Sequence, residues 1–394
     1  MPPNANILDQ TASTFYVRLN AKIADMQQNG QEVIRLDIGS PDLPPHPDVI
    51  ETLYRSAQSP DRHGYQPHRG ARSLREAWAG FYKSRFEVDL DPEKEILSLV
   101  GSKEGIFHLM PAEIDPGDVV LLPDPGYPTY AHGVLFAGGE PYTLPLRPEN
   151  HFLPDLEAVP ADIAARARAV WLNYPNNPTG AAASLEFFTR VVDFARENQI
   201  LVCHDAAYTQ VTFDGIKAPS IFNVPGAKQV AVEFNSVSKS HNMAGWRVGI
   251  LAGNSEVLDK FLAFKANYNS SHFLPVMDAA AQALQIEQNW IEERNLRYQK
   301  RRDMVFNKLR QIGFQPALPQ GGLYIWCPLP HGWQGEDFAE ALLDETQVSV
   351  VPGSVFGSGG EGYFRLSLVR PTAVLSQAMA RLEVFSQQKE LFKG

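Results

Sequence analysis

Residues 169–208 read AVWLNYPNNPTGAAASLEFFTRVVDFARENQILVCHDAAY, and this stretch decides the fold class. It begins with a short apolar run at 169–172 and continues through a turn-rich loop. A segment at 190–198 with helical character then leads to a second apolar run at 200–203. Short runs that are apolar almost throughout are typical of strands buried on both faces of a parallel sheet, and such strands are joined by helices. The stretch therefore predicts a strand–helix–strand unit.

The same pattern extends in both directions along the chain. Further apolar runs lie at residues 96–100, 119–122 and 230–234, with longer mixed segments between them. Five such runs predict an α/β fold, namely a three-layer αβα domain built on a mostly parallel sheet.

The C-terminal part has a different pattern. It contains a long helical segment at about 279–309, a Gly321-Gly322 turn and a short helix near 338–344. Strand-like runs lie at 323–327, 348–351 and 364–368. We expect a smaller α+β domain here. The predicted division is an N-terminal segment 1–45 that joins the small domain, a large domain 46–285 and a small domain 286–394.

The composition narrows the possible partners. Of 394 residues, 45 are acidic and 35 basic, so the net charge of −10 argues against nucleic acid as the main partner. The two cysteines, Cys203 and Cys327, lie within apolar runs, which predicts buried, reduced thiols and no cysteine-based metal site. We see no run of 18 apolar residues and no secretory pattern in residues 1–10, so we expect a cytoplasmic protein without a membrane span.

Polar residues follow each of the five apolar runs of the large domain. Because ligands bind outside the carboxyl ends of the strands in open α/β sheets, these loops should form one site. The residues they contribute are Ser102 and Lys103 after the first run, Tyr127 after the second, Asn177 after the third, Asp205 and Tyr208 after the fourth, and Ser236, Ser238 and Lys239 after the fifth.

The chemistry of this set points to a phosphorylated aldehyde cofactor. Ser102 and Lys103 open a predicted helix, whose free N–H groups favour an anion. Two hydroxyl groups and Arg247 suit a phosphate dianion. A GxxxxGK[ST] loop is missing, so a nucleoside triphosphate is not indicated. A lysine that can form a Schiff base and an acid that can pair with a pyridinium nitrogen are what pyridoxal 5'-phosphate requires.

Four separated motifs resemble one family. The string SVSKSHNMAGWRVG at 236–249 resembles the Ser-x-Ser-Lys segment of class I/II pyridoxal-phosphate-dependent aminotransferases of fold type I, with Arg247 eight residues after Lys239. NNPTG at 176–180, DAAY at 205–208 and FRLSL at 364–368 match further family signatures. The resemblance spans roughly residues 35–370. GSKEGI at 101–106 and the stretch 203–210 are most similar to the LL-diaminopimelate and alanine-type members.

The resemblance implies roles around the cofactor. Lys239 would hold the cofactor aldehyde as a Schiff base and then shuttle the proton. Asp205 would hold the pyridinium proton, and Tyr127 would stack on the ring. Asn177 and Tyr208 would donate hydrogen bonds to the phenolic oxygen of the cofactor.

The resemblance also implies a substrate site. Arg365 would bind the substrate α-carboxylate, and Gly39 and Asn177 would lie near the substrate. Tyr65 would reach the cofactor phosphate of a second subunit, which implies a homodimer with shared sites; the alternative is an ordinary buried tyrosine. The glycine-rich stretch 352–362 resembles a loop near the site, although a mobile hairpin explains it equally well. No metal is predicted.

The predicted function is amino-group transfer between an L-amino acid and a 2-oxo acid by a ping-pong mechanism. LL-diaminopimelate and alanine are the candidate amino acids. Two alternatives stay open at this point. A carbon–sulfur lyase or a decarboxylase of the same fold would carry the same cofactor motifs, because fold and cofactor do not fix the reaction. The second alternative is a sensor that binds the cofactor and does not catalyse a reaction.

Overall fold

The computed structural model of the protein describes residues 7–8 and 14–392. Residues 1–6 and 9–13 of the predicted N-terminal segment lie outside this part. The strands, in chain order, are β1 (Ile34–Arg35), β2 (Ile96–Val100), β3 (Val119–Asp124), β4 (Glu140–Pro145), β5 (Ala167–Asn173), β6 (Leu201–Asp205), β7 (Ala231–Ser236), β8 (Val248–Gly253), β9 (Tyr324–Pro328), β10 (Val348–Ser349), β11 (Val351–Pro352) and β12 (Tyr363–Ser367).

Helices separate most of these strands. Within residues 14–392 the α-helices are α1 (Thr14–Gln28), α2 (Pro47–Ala57), α3 (Arg72–Phe86), α4 (Ser102–Glu113), α5 (Thr129–Phe136), α6 (Ala161–Arg166), α7 (Leu185–Asn198), α8 (Val237–Ser240), α9 (Ser255–Lys265), α10 (Leu274–Ala283), α11 (Gln288–Ile312), α12 (Gly335–Thr346) and α13 (Thr372–Gln388).

The central sheet has seven strands in the order β2-β8-β7-β6-β5-β3-β4. Only β8 runs antiparallel to its neighbours, so the sheet is mostly parallel. Two of its strands were not predicted from the sequence. Strand β4 is a largely exposed edge strand with a proline near its start and another at its end, and β8 contains two glycines; both features weaken the strand signal.

Two apolar layers cover the faces of this sheet. Alternate residues of one strand point to opposite faces, so Val119 and Leu121 of β3 join one core while Val120 and Leu122 join the other. The first core includes side chains of α3, α7 and α10, and the second includes α4, α5 and α9. The predicted three-layer α/β architecture is confirmed.

The C-terminal elements surround a separate core. Strands β11, β12 and β9 form an antiparallel sheet, and β1 pairs in parallel with β10. Ile34 and Leu36 thus pack with side chains of α11, α12 and α13. Strand β1 of the N-terminal segment thus contributes to this core, while the predicted division of the chain into domains stays a prediction. The boundaries at 45/46 and 285/286 stay predictions.

Two predicted elements of this part are wrong in detail. The single helix at 279–309 is two helices, α10 and α11, with a break at residues 284–287. The break contains neither glycine nor proline, so the sequence carries no signal for it. The single strand at 348–351 is two short strands, because β10 pairs with β1 whereas β11 pairs with β12.

Both cysteines are free and buried. In the described part of the chain, no helix is long and apolar enough to cross a membrane.

Candidate active site

A cleft of about 730 Å³ lies at the carboxyl ends of β2, β3, β5, β6 and β7. All five predicted loops contribute to it. The predicted site residues that line the cleft are Gly39, Ser102, Lys103, Tyr127, Asn177, Asp205, Tyr208, Ser236, Ser238, Lys239, Arg247 and Arg365. The structure brings these residues together, and Tyr65 is the predicted site residue that it does not bring to the cleft.

Lys239 lies on the single helical turn α8, and its Nζ donates a hydrogen bond to the backbone oxygen of Gly39. Burial lowers the pKa of Lys239 below its ordinary value. The charges of Arg365 and Arg247 lower this pKa further, whereas Tyr324 and, to a smaller extent, Asp205 oppose the lowering. A lysine of lowered pKa has more neutral amine at neutral pH, and neutral amine is what forms Schiff bases and accepts protons.

Asp205 ends strand β6 and is buried. Its Oδ2 accepts a hydrogen bond of 2.7 Å from the Tyr130 hydroxyl, and its Oδ1 accepts one of 3.3 Å from the Ala207 N–H. Burial raises the pKa of Asp205, and these hydrogen bonds oppose the rise only in part. No described basic side chain forms an ion pair with it. Such a carboxylate suits a buried cation, for instance a protonated ring nitrogen.

Hydroxyls and a guanidinium meet at one end of the cleft. Ser236 Oγ lies 2.9 Å from Ser238 Oγ, and the N-terminus of α4 begins at Ser102. Gly101 precedes this helix with φ +76°, and a Cβ there would lie 2.1 Å from Arg247 Nη2. The absent side chain leaves room for the guanidinium beside the free N–H groups of the helix. These donors together suit a phosphate.

Arg365 lies on β12 and is buried at another wall of the cleft. Its Nη1 donates to Asn177 Oδ1 at 2.8 Å and its Nη2 to the backbone oxygen of Asp37 at 3.1 Å. The guanidinium carbon lies 4.0 Å from the Tyr324 ring centroid and 4.7 Å from that of Phe356. Arg365 Nε is buried without a hydrogen-bond partner among the described residues. This unpaired donor suits a ligand carboxylate.

Three tyrosines of the site were missed from the sequence. Tyr324 lies 3.1 Å, hydroxyl to hydroxyl, from Tyr208, and Tyr130 donates to Asp205. Burial by itself raises the pKa of Tyr324, but the charges of Arg365 and Lys239 bring it below its ordinary value. Tyr16 of α1 also lines the cleft. No motif marks these residues. The one usable signal is the closeness of Tyr130 to Tyr127 in the sequence, since the Tyr130 N–H donates to the Tyr127 carbonyl just before α5.

The position of the Tyr324 ring requires a glycine at residue 39. A Cβ at Gly39 would lie 2.0 Å from the Tyr324 hydroxyl, so a side chain at this position would displace the ring.

Tyr65 does not line the cleft and is 96% exposed. The alternative of a buried tyrosine is therefore wrong.

Comparison with known families agrees with this geometry. The family model "Aminotransferase class I and II" matches residues 31–382, which is most of the chain. The chain belongs to the class I and II aminotransferases.

Curated relatives and solved structures support the same family. The LL-diaminopimelate aminotransferase of Desulforudis audaxviator is 48% identical over 93% of this chain and 94% of its own length. The enzyme of that name from Moorella thermoacetica is 44% identical over the same shares. The substrate-bound BacF structure from Bacillus subtilis is 34% identical, covers 98% of both chains and superposes with a TM-score of 0.94.

This aminotransferase is therefore an enzyme that depends on pyridoxal phosphate and transfers amino groups between amino acids and 2-oxo acids. The predicted family, fold, cofactor and reaction class are confirmed. These relatives are named as aminotransferases and not as lyases, decarboxylases or sensors. The cleft also fits the cofactor by its own chemistry, because it combines a phosphate-binding end, a buried carboxylate without a cation and a buried lysine.

Proposed function

We propose that this aminotransferase takes its amino group from LL-diaminopimelate and passes it to a 2-oxo acid. Relatives at 44–48% identity carry the name LL-diaminopimelate aminotransferase. Alanine, the second candidate from the sequence, differs in one decisive respect. LL-diaminopimelate has a second charged head with its own carboxylate, whereas the alanine side chain is a methyl group.

The position of Lys103 is the observation that favours the longer substrate. Lys103 is exposed, lines the cleft and has its Nζ 5.8 Å from the Tyr127 ring centroid. It forms no ion pair with any acidic side chain in residues 14–392. A free cation on the wall of a site that already contains Arg365 provides a second carboxylate-binding group. A substrate with two carboxylates uses both groups.

The residues at the reacting centre have separate proposed tasks. Arg365 binds and orients the α-carboxylate through its unpaired N–H. Lys239 would carry the proton from the substrate α-carbon to the cofactor in the first half of the transfer and from the cofactor to the α-carbon of the new amino acid in the second half, which its lowered pKa favours. Bound pyridoxal phosphate supplies an electron-withdrawing ring that stabilises negative charge at the α-carbon.

The remaining residues fix the cofactor. Asp205 holds the proton on the ring nitrogen, and Tyr130 fixes the orientation of that carboxylate. Tyr208 and Asn177 donate to the phenolic oxygen, with Tyr127 against the ring. Ser102, Ser236, Ser238 and Arg247 bind the phosphate.

A donor screen tests the substrate. We expect the purified enzyme to use LL-diaminopimelate at least about tenfold more efficiently than alanine, since loss of one ionic contact costs on the order of 1.4 kcal/mol, or tenfold. Lys103→Ala should raise the KM for LL-diaminopimelate and leave the KM for alanine unchanged. Lys94→Ala, at an exposed lysine outside the cleft, is the matched control. Equal use of both donors by the parent enzyme would contradict the assignment.

We also propose a cytoplasmic homodimer with shared sites. Tyr65 is almost fully exposed, and Ile50 and Tyr54 are exposed on one face of α2. Apolar side chains grouped on a surface are typical of subunit interfaces. The two unpaired cysteines support a reducing compartment.

Complementation tests the sharing of sites. Lys239→Ala and Tyr65→Ala chains should each be nearly inactive as pure proteins. Refolding them together should restore activity, because a mixed dimer has one site with both native residues. Light scattering that gives a monomer, or no activity in the mixture, would sink the proposal of shared sites.

A further inference from the structure

Arg294 of α11 is buried without a counter-ion. It is 3% exposed, and no carboxylate in the described part of the chain lies within ion-pair distance of it. The other buried arginines of the same helix are paired, Arg301 with Asp42 and Arg302 with Asp214. A buried, unpaired charge costs free energy, so a compensating role is expected.

Three of the four hydrogen bonds of the Arg294 guanidinium go to backbone oxygens, and its Nε is buried without a partner among the described residues. Nη1 donates to the carbonyl of Lys239 at 2.9 Å and to that of Ser240. Nη2 donates to the carbonyl of Gln210 at 2.6 Å and to Asn295 Oδ1 at 2.7 Å. One side chain thus joins three carbonyls from two separate loops.

These carbonyls belong to the two loops at the centre of the cleft. Lys239 and Ser240 end the single turn α8, whose last carbonyls have no partner within the helix. Gln210 lies two residues after Tyr208, in the loop that begins at Asp205. A cation at the C-terminus of a helix is also favourable for the helix dipole.

We propose that Arg294 is a positioning residue for amino-group transfer, which holds the backbone of Lys239 at a fixed place relative to the loop of Asp205 and Tyr208. This inference rests on the proposed role of Lys239. Arg294 does not line the cleft and touches neither substrate nor cofactor, so it acts only through the main chain. Helix α8 is a turn of four residues and is too short to hold its own position. The Arg294 guanidinium, from outside the cleft, holds α8 in place through hydrogen bonds to its carbonyls.

The burial of Arg294 without a counter-ion shifts its own pKa and that of a neighbouring histidine. Burial lowers the pKa of Arg294 to about 10, against a small opposing effect of Tyr298. The same charge helps to keep the neighbouring His241 neutral, since burial, Arg294 and Arg85 together lower the pKa of His241 to about 3. Most arginines in this chain avoid such a cost by pairing with acids.

The test compares Arg294→Met with Arg302→Met, a matched loss of a buried arginine on the same helix whose partners include Asp214 and the Pro319 carbonyl and which contacts none of the carbonyls of Lys239, Ser240 and Gln210. With kcat expressed per cofactor-loaded site, we expect Arg294→Met to lower kcat by about 10- to 100-fold, the usual effect of a misplacement near 1 Å. The KM for the amino acid should change by less than about twofold, because the substrate pocket stays intact. Arg302→Met should lower the melting temperature without lowering kcat.

Hydrogen exchange on the cofactor-free protein gives a readout apart from activity. The amides of His241 and Met243 donate to the Val237 carbonyl, so they report on α8. They should exchange faster in Arg294→Met and at the parent rate in Arg302→Met. Unchanged exchange, or an equal fall of kcat in both variants, would overturn the proposal.

If the Arg294→Met variant does not fold, the Arg294→Lys variant tests the positioning role instead. An ammonium cannot span three carbonyls as a planar fork does, so kcat should fall with an unchanged KM. A parent-like kcat in Arg294→Lys would overturn the inference. An active Lys239→Ala variant would instead refute the proposed function, so the two failures are distinguishable.

Discussion

At the scale of single residues, burial sets the chemistry of the cleft more than sequence neighbours do. Asp205 and Asp118 are both aspartates next to the central sheet. Burial raises the pKa of Asp205, whereas a hydrogen bond from the Asp115 N–H lowers that of the half-buried Asp118. Identical side chains thus have opposite pKa shifts, and only the buried one suits a cationic ring.

This contrast predicts opposite effects on the stability of the cofactor-free protein. The raised pKa of Asp205 means that the native state binds the proton more tightly than the unfolded state, so its contribution to stability is lost as the pH rises through the folded pKa. Asp205→Asn should therefore raise the melting temperature of the cofactor-free protein at pH 7.5. The gain should disappear toward about pH 4, where the unfolded carboxyl is also protonated.

Asp118→Asn is the control with the opposite sign. Its lowered pKa contributes stability above the unfolded pKa, so the substitution should lower the melting temperature at pH 7.5. The cofactor-loaded Asp205→Asn enzyme should in addition lose amino transfer. A lower melting temperature of cofactor-free Asp205→Asn at pH 7.5 would show that the ionised carboxylate is not strained by burial.

Gly101 gives a second prediction at this scale. Its φ is +76°, and a Cβ would lie 2.1 Å from Arg247 Nη2. Gly101→Ala should weaken binding of pyridoxal phosphate by roughly 10- to 100-fold, since one or two charge-assisted hydrogen bonds of about 1.5–3 kcal/mol are disturbed. The dissociation constant is measured by titrating the cofactor-free protein.

Gly80→Ala is the matched control, because nothing lies within 4 Å of a Cβ on this glycine of helix α3. It should bind the cofactor normally and gain about 0.5–1 kcal/mol of stability, the usual benefit of alanine within a helix. Equal affinities of the two variants would speak against the phosphate role of Arg247.

At the scale of elements, the glycine-rich loop after β11 holds an aromatic ring against Arg365, the residue that we propose binds the substrate α-carboxylate. Ser358 Oγ and the Gly359 N–H donate to the carboxylate of Asp124 at the end of β3. This docking places the Phe356 ring 4.7 Å from the Arg365 guanidinium. The loop itself does not line the cleft, so its effect on the site is indirect.

Asp124→Ala should therefore raise the KM for the amino acid by roughly tenfold, which corresponds to about 1.4 kcal/mol. Two hydrogen bonds to a charged acceptor are lost, the loop is released, and Arg365 loses one of its two aromatic packing partners, Phe356. Steady-state kinetics with saturating 2-oxo acid measure the change. Ser354→Ala, at an exposed position of the same loop, should leave KM unchanged. An unchanged KM in Asp124→Ala would mean that Arg365 is held without the loop.

At the scale of the whole molecule, five of the seven strands of the central sheet were predictable because each of the five has two sequence signals. Each is a short apolar run, and each is followed by polar residues where the strand ends. The polar residues after β6 and β7 therefore predicted that Asp205 and Lys239 lie at the same edge of the sheet. Strand β4 was missed because an edge strand does not need apolar residues on both faces.

The rest of the site depends on contacts between distant parts of the chain. Tyr324 lies 85 positions after Lys239 and contacts Tyr208 in the cleft, whereas Arg294 lies 55 positions after Lys239 and contacts the backbone of the cleft loops. Both contacts form because α11 and β9 pack against the loop that follows β6. Nothing in the local sequence of either residue marks it. The break between α10 and α11, which decides where Arg294 lies, is equally unmarked.

The covalent attachment of the cofactor tests the central claim most directly. The protein is saturated with pyridoxal phosphate, reduced with borohydride and digested, and the modified lysine is located by mass spectrometry. We predict one modified position, Lys239, and no amino transfer by Lys239→Ala. Modification of Lys103 or another lysine in its place, together with full activity of Lys239→Ala, would contradict the account.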